Sequence, residues 1–278
     1  MDTDLALHGE LLEAGLDPRA GHDLARAVAL LEQPSFLITL ANHVGVPIER
    51  LAARLPGRAT HVLTRAVDAA LKRAADVAIG SLELGPRRFR GERFHRLATM
   101  VTGAVGGAGG LATLVVELPV TTTLMLRSIA EIAAEEGEDL TTLEARLACL
   151  EVFALGGRSR ADDAAENAYF ALRAALAEGV RAVIDRSAGG GMGRALGELI
   201  VRIGSRFQIV VGEKAVAQAA PVFGALGGAG INAAFTAHFQ RMARGHFIVR
   251  RLERRWGREA VRTAYGRIAR ERLKRPGV

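Results

Sequence analysis

The sequence predicts an all-α fold: a multi-helix domain with two central glycine-rich, tightly packed helical hairpins. Three observations lead there. No stretch alternates apolar and polar residues as a half-buried strand does, whereas the 3.6-residue helical period recurs along the chain. Two long runs, Leu97 to Val116 and Ala215 to Ala237, carry no charge at all. Each run contains closely spaced glycines, in GAVGGAGGLATL from Gly103 and GALGGAGINAAF from Gly224. Gly103, Gly106, Gly107 and Gly110 are spaced so that a helix places them where backbones can approach one another. Gly224, Gly227 and Gly228 repeat the pattern, and all seven are expected helix-packing positions. The Leu97–Val116 run has the length of a membrane span. Five of its twenty residues are glycine and only seven are Leu or Val, too little apolar area for simple insertion.

In chain order, Asp23–Leu31 and Ser35–His43 read as short helices separated by Pro34. Ile48–Leu55 follows Pro47, a residue suited to a first helical turn. From Thr60 to Gly80 the apolar stripe Leu63, Ala66, Val67, Ala70, Leu71, Ala74 is clear. GPRRFRG at 85–91 is a basic turn. After the first glycine run, Pro119 predicts a break or kink near Leu118, because the residue before proline avoids the α region. A further helix follows to about Glu136. Thr141 and Glu144 match a capping box, predicting a helix from Thr141 to Leu155, stopped by Gly156-Gly157. Ser159 with Asp162, Asp163 and Glu166 reads as the capped start of a helix to Asp185, in preference to a metal site. SAGGGMG at 187–193 is a joint, and Arg194 to about Ala220 is helical again.

The chain has 278 residues, 49% of them hydrophobic and 24% charged. That charge content is high for a multi-pass membrane protein. Its single cysteine, Cys149, rules out an intrachain disulfide and suggests a reducing compartment. No basic stretch followed by an apolar core opens the chain, so no signal peptide is read. The net charge of +7 is concentrated at the C-terminal end. From Phe239 to Val278 there are 13 Arg or Lys against 3 acids, and the other 238 residues sum to −3.

Several phrases resemble the EcsC protein family: LLEQPSF at 31–37, VGVPIE at 44–49, ELPVTTTLMLRSIAEIAAEEGEDL at 117–140, CLEVFALGG at 149–157 and GGAGINAAFTAHFQRMARGHFIVRRLERRWG at 227–257. The resemblance divides the chain into an N-terminal extension at 1–22, a helical domain at 23–265 and a basic tail at 266–278. The family takes its name from a protein encoded beside an ABC-type transporter. The resemblance therefore implies a membrane-linked role and a transporter partner. It brings no catalytic residue with it.

Glu117 lies 14 residues after Gly103, and His238 lies 14 after Gly224. Fourteen residues is nearly four helical turns, so each falls near its glycine face. That spacing yields a candidate polar seam of Glu117, Thr121, Thr122, Asn232, Thr236 and His238. Its alternatives are a functional site and a set of side chains that satisfy one another inside the core. His238 and His246 share a helical face, but no HExxH motif accompanies them, and no metal is expected. No Walker motif, GxSxG or GxGxxG stands in a strand–turn–helix context, so enzyme signals are weak and no cofactor is expected.

The basic end places Leu252, Trp256, Val261, Ala264, Tyr265, Ile268 and Ala269 at helical spacing among arginines. Such a helix suits an anionic membrane interface, with Arg254, Arg255, Trp256, Arg258 and Arg262 as contact candidates. The alternative is a surface helix that packs its apolar stripe on the body. Nucleic acid is the least favoured partner. The sequence thus points to a membrane-associated helical binding or accessory protein on the cytoplasmic side, with an anionic membrane surface or lipid as partner. Two other readings stand beside it: a soluble all-α protein holding a hydrophobic ligand, and an enzyme using Glu117 and His238.

Overall fold

The computed structural model describes residues 16–32, 36, 38–40, 59–80, 95–100, 114–157, 168–219 and 227–274. Among them there is no strand. The long helices are α1 (Pro18–Leu31), α2 (Ala59–Gly80), α3 (Leu114–Glu135), α4 (Leu143–Leu155), α5 (Ala168–Asp185), α6 (Met192–Ala219), α7 (Gly227–Trp256) and α8 (Arg258–Lys274). Residues 95–100 form a further short helix.

Local chemistry sets several boundaries. α1 starts five residues before the expected Asp23, because Asp17 caps it. The Asp17 carboxylate accepts from Ala20 N at 2.7 Å and Pro18 opens the first turn. α4 starts at Leu143 with Thr142, not Thr141, as its cap. Thr142 Oγ1 accepts from Ala145 N at 3.3 Å, while Thr141 is held by Asp139. Of the break or kink expected at Leu118, the break does not occur: α3 runs through Pro119. Proline there costs one hydrogen bond near the start of the described helix, and the buried side chains from Leu118 to Ala133 offset it. α8 continues without interruption past residue 266, with Ile268 and Ala269 buried.

α4 is the central helix. Ten of its thirteen residues are buried, so it lacks the one-sided apolar stripe of a surface helix. It contacts α2, α3, α5, α6 and α7. Phe153 of α4, Phe207 of α6 and Phe235 and Phe239 of α7 form a cluster with ring centroids 5.1–6.2 Å apart. α7, thirty residues long and so about 45 Å, runs parallel to α3. Asn232 meets Glu117, Gln240 meets Ser128 and Arg244 meets Glu135 in rising order along both helices, and Arg250 meets Glu138 in the turn just after α3. The short helix at 95–100 runs the other way, with Arg96 at Gln240 and Thr99 at Thr236. Consequently the described ends flanking 101–113 and 220–226 lie at one end of the bundle.

The closest approaches among the described residues fall at Gly156, Gly157 and Gly245, and of the seven expected packing glycines only Gly227 has its surroundings described. Gly103, Gly106, Gly107, Gly110 and Gly224 lie outside the described residues. Gly227 is exposed at the start of α7 with φ +58°, and a Cβ there would meet nothing within 4 Å. Its role is conformational freedom, not packing. Close approach occurs at Gly156, where a Cβ would lie 2.5 Å from Phe239 Cε1, and at Gly157, against the carbonyl of Arg206. At Gly245 a Cβ would lie 2.7 Å from Leu31 Cγ and 3.2 Å from the Ala27 carbonyl. α7 and α1 pack closely here.

This contrast yields a stability prediction. Gly245→Ala should destabilise by about 1–3 kcal/mol, since α1 must move to admit the methyl group. Gly212→Ala, where a Cβ meets nothing within 4 Å, should be neutral or gain up to about 1 kcal/mol from helix propensity. Urea unfolding of both variants checks this, and equal effects would contradict the assignment of close contact to Gly245.

Candidate functional site

Phe207, Val210, Val211 and Lys214 recur at helical spacing on the core-facing side of α6, so the fourth of these positions puts a lysine inside the protein. Lys214 is fully buried. Its Nζ donates to Glu117 Oε1 at 2.7 Å and lies 5.1 Å from the centre of the Phe235 ring. Asn232 Nδ2 donates to the same Oε1 at 2.7 Å and to the Thr99 carbonyl at 3.1 Å. Thr236 Oγ1 donates to Thr99 Oγ1 at 3.0 Å. Four elements therefore converge on one ion pair: the helix at 95–100, α3, α6 and α7. Burial pulls the Lys214 pKa down, and the Glu117 carboxylate pulls the other way. Glu117 Oε2 and Asn232 Oδ1 are buried without a hydrogen-bond partner.

The expected polar seam is thus partly brought together. Glu117, Asn232 and Thr236 share one network, completed by Lys214 and Thr99, which sequence reasoning missed. Thr121 and Thr122 are buried on α3, and Thr122 Oγ1 has no partner. His238 belongs elsewhere. Six residues beyond Asn232, it faces a different side of α7, with Nε2 3.1 Å from the Gly156 carbonyl and its ring edge-on to Phe36 and Phe239. Burial lowers its pKa to about 4, so the imidazole is neutral. The missed lysine had a signal. Glu117 directly follows one charge-free run and Lys214 directly precedes the other, and these two bordering charges pair.

A second polar centre surrounds the chain's two tyrosines. Tyr169 and Tyr265 stack with centroids 5.5 Å apart. Tyr169 Oη lies 2.9 Å from His246 Nδ1, and Tyr265 donates to Glu32 Oε1 at 2.8 Å. Arg173 makes a bidentate pair with Glu253 at 2.7 and 2.9 Å, and its guanidinium lies over the Tyr169 ring. Burial drives the His246 pKa well down and the Tyr169 pKa up. A cavity of about 20 Å³ beside Tyr169 is lined by Leu31, Glu32, Leu155 and Leu172, room for a water molecule. His238 and His246 have separate partners. Among the described residues no three His, Cys, Asp or Glu side chains gather as metal ligands. Cys149 is buried with its thiol pKa raised by desolvation, an inert environment.

The membrane-contact candidates divide. The apolar stripe of the basic end is buried: Leu252, Val261, Ala264, Tyr265, Ile268 and Ala269 all pack on the body. Gly257, at φ +86°, separates α7 from α8. Arg254 is held by Glu138 and by the Glu136 carbonyl. Arg255, beside Asp17 at 3.9 Å, has a side chain 71% exposed and lies 4.2 Å over the Trp256 ring. Trp256 is half-buried against the core. Arg258 and Arg262 are exposed. No described helix is long and apolar enough to cross a membrane.

Comparison with protein-family models matches residues 39–252 to the EcsC protein family, well over half of the chain. No curated protein and no solved structure matches it.

A pH dependence follows from Glu151 of α4. Burial pushes its carboxyl up to about 7, against the charges of Arg173 and Arg250. The folded chain retains a proton there that the unfolded chain has released, so this group lowers stability as pH rises from 4.5 to about 7. His238 acts oppositely between about 4 and 6.5. Glu151→Gln isolates the first effect: relative to wild type the variant should gain stability through this window and hold the gain above pH 7. Urea unfolding at pH 5 and pH 8 measures it. An unchanged difference between the two pH values would contradict the buried ionisation.

Proposed function

The chain belongs to the EcsC protein family, and on that premise we propose that it is a membrane-associated helical binding or accessory protein on the cytoplasmic side. The observation that carries this reading is the outer stripe of α8. Arg258, Arg262 and Arg270 are exposed there with one acid, Glu259, and among the described residues none of the three pairs with a carboxylate. Each such arginine contributes about 1 kcal/mol near an anionic bilayer, decaying over roughly 8–10 Å. The attraction is electrostatic and peripheral, because the apolar stripe beneath is occupied by the body. The family resemblance supports an ABC-type transporter as the protein served at that surface.

Vesicle sedimentation tests the reading. The wild type should bind vesicles containing anionic lipid, bind neutral vesicles much less, and be released by high salt. Arg258→Gln with Arg262→Gln and Arg270→Gln should lose most of that binding at an unchanged melting temperature. Arg254 is left intact, since it holds Glu138. Equal binding by the triple variant, or no binding by the wild type at low salt, would overturn the proposal.

A further inference from the structure

Where α3, α7 and the helix at 95–100 meet beside the Lys214–Glu117 pair, the bundle carries little charge. On α3, residues 114–126 include one charged side chain, Glu117, which is buried against Lys214. On α7, residues 227–240 include none, and His238 is a neutral imidazole. The helix at 95–100 has none after Arg96. The α6 side adds Glu213, half-buried and with an interaction of its own. The stretches that continue the chain from this end, 101–113 and 220–226, contain no charged residue in sequence.

Apolar side chains stand outward on this surface. Val116 is 75% exposed, Val120 49% and Leu97 61%. Val116, Val120, Leu124 and Arg127 follow at steps of four, four and three, so they share the outer side of α3. Leu124 is half-buried and Arg127 exposed. Thr123, at the edge of that face, turns its hydroxyl to the backbone, donating from Oγ1 to the Pro119 carbonyl at 2.8 Å. Gln240 Nε2 donates to Ser128 Oγ at 2.8 Å, so Arg127 and Arg241, the neighbours of these two residues, stand at one height. Apart from the buried Glu117, each is the first charge of its helix below the tip. From Val116 to Arg127 the face is about 16 Å long, close to the hydrocarbon depth of one leaflet, about 15 Å.

We propose that this end of the bundle is a second, shallow membrane contact, in which Val116, Val120 and Leu97 enter the acyl region of one leaflet and Arg127 lies among anionic headgroups. The charge distribution selects a bilayer as the occupant. Exposed apolar residues run unbroken by charge for the depth of a leaflet, and the exposed charge at the base of the α3 face is cationic, as headgroups require. Charge within the acyl region must face the bundle interior and be paired, which is how Glu117 and Lys214 are placed. No described helix is long and apolar enough to cross a membrane, so the contact dips in without spanning. The inference rests on the membrane-associated reading above, but it uses none of the α8 arginines.

A single introduced thiol reads the contact, because Cys149 is buried with its pKa raised and stays unlabelled. Val116→Cys would carry an environment-sensitive NBD label in the full chain. Val201→Cys, 70% exposed on α6, is the control. With vesicles of phosphatidylglycerol in phosphatidylcholine at low salt, emission at 116 should shift to the blue and brighten, while that at 201 stays unchanged. In unlabelled protein, Val116→Ser with Val120→Ser keeps the net charge and should weaken vesicle binding about tenfold at an unchanged melting temperature. If the wild type binds, yet the 116 label remains in water and the serine variant binds equally, the apolar contact is overturned and the α8 reading stands. No binding by the wild type would overturn both.

Discussion

Everything at one end of this bundle depends on the buried pair of Lys214 and Glu117. A lysine with no exposed surface is tolerated only when a partner and further hydrogen bonds replace the lost water. Glu117 supplies the charge, Asn232 bonds the same carboxylate oxygen, and Thr99 and Thr236 extend the network. The four contributing elements are those that lead into and out of the two segments at 101–113 and 220–226. The pair therefore ties together the roots of both segments. Replacing such a pair with apolar groups is often neutral, whereas removing one partner leaves a charge stranded, at a cost of about 3–5 kcal/mol.

The other end is held differently. Arginines of α7 reach the α3–α4 turn and α1: Arg250 and Arg254 converge on Glu138, and Arg251 bridges Asp23 and Glu136. Their attraction lowers the Glu138 pKa despite partial burial. Much of the basic charge that dominates the C-terminal sequence is therefore internal cement. What is left of it facing outward without a carboxylate partner, among the described residues, is the short arginine stripe of α8, which is why the proposed membrane contact there rests on charge alone. The half-buried Arg241 stands apart from this lattice, between the two ends.

The all-α class was legible because helical periodicity and the lack of alternation are local properties. The family was legible from phrases such as those at 117–140 and 227–257. Glu117, Asn232 and Thr236 could be singled out because they are polar residues in or beside charge-free runs. Lys214 was not, since its burial depends on the facing of α6, and its partner lies 97 residues away. His238 was misplaced for a related reason: a match in spacing to distant glycines says nothing about which neighbour covers that side of α7. Gly227 resembled a packing glycine, yet its left-handed backbone shows that the small side chain serves the turn. Conversely Gly245 carried no sequence signal. Its need for a missing Cβ arises from Leu31 and the Ala27 carbonyl on α1, more than two hundred residues earlier.

A double-mutant cycle on Lys214 and Glu117 addresses the central claim most directly. Lys214→Met, Glu117→Gln and the double variant would be unfolded in urea beside the wild type. A true buried pair predicts that each single change is strongly destabilising and that the double variant is far more stable than their sum, with a coupling of about 1.5–3 kcal/mol. Additivity within about 0.5 kcal/mol would contradict it, and would mean that the two residues support the fold separately.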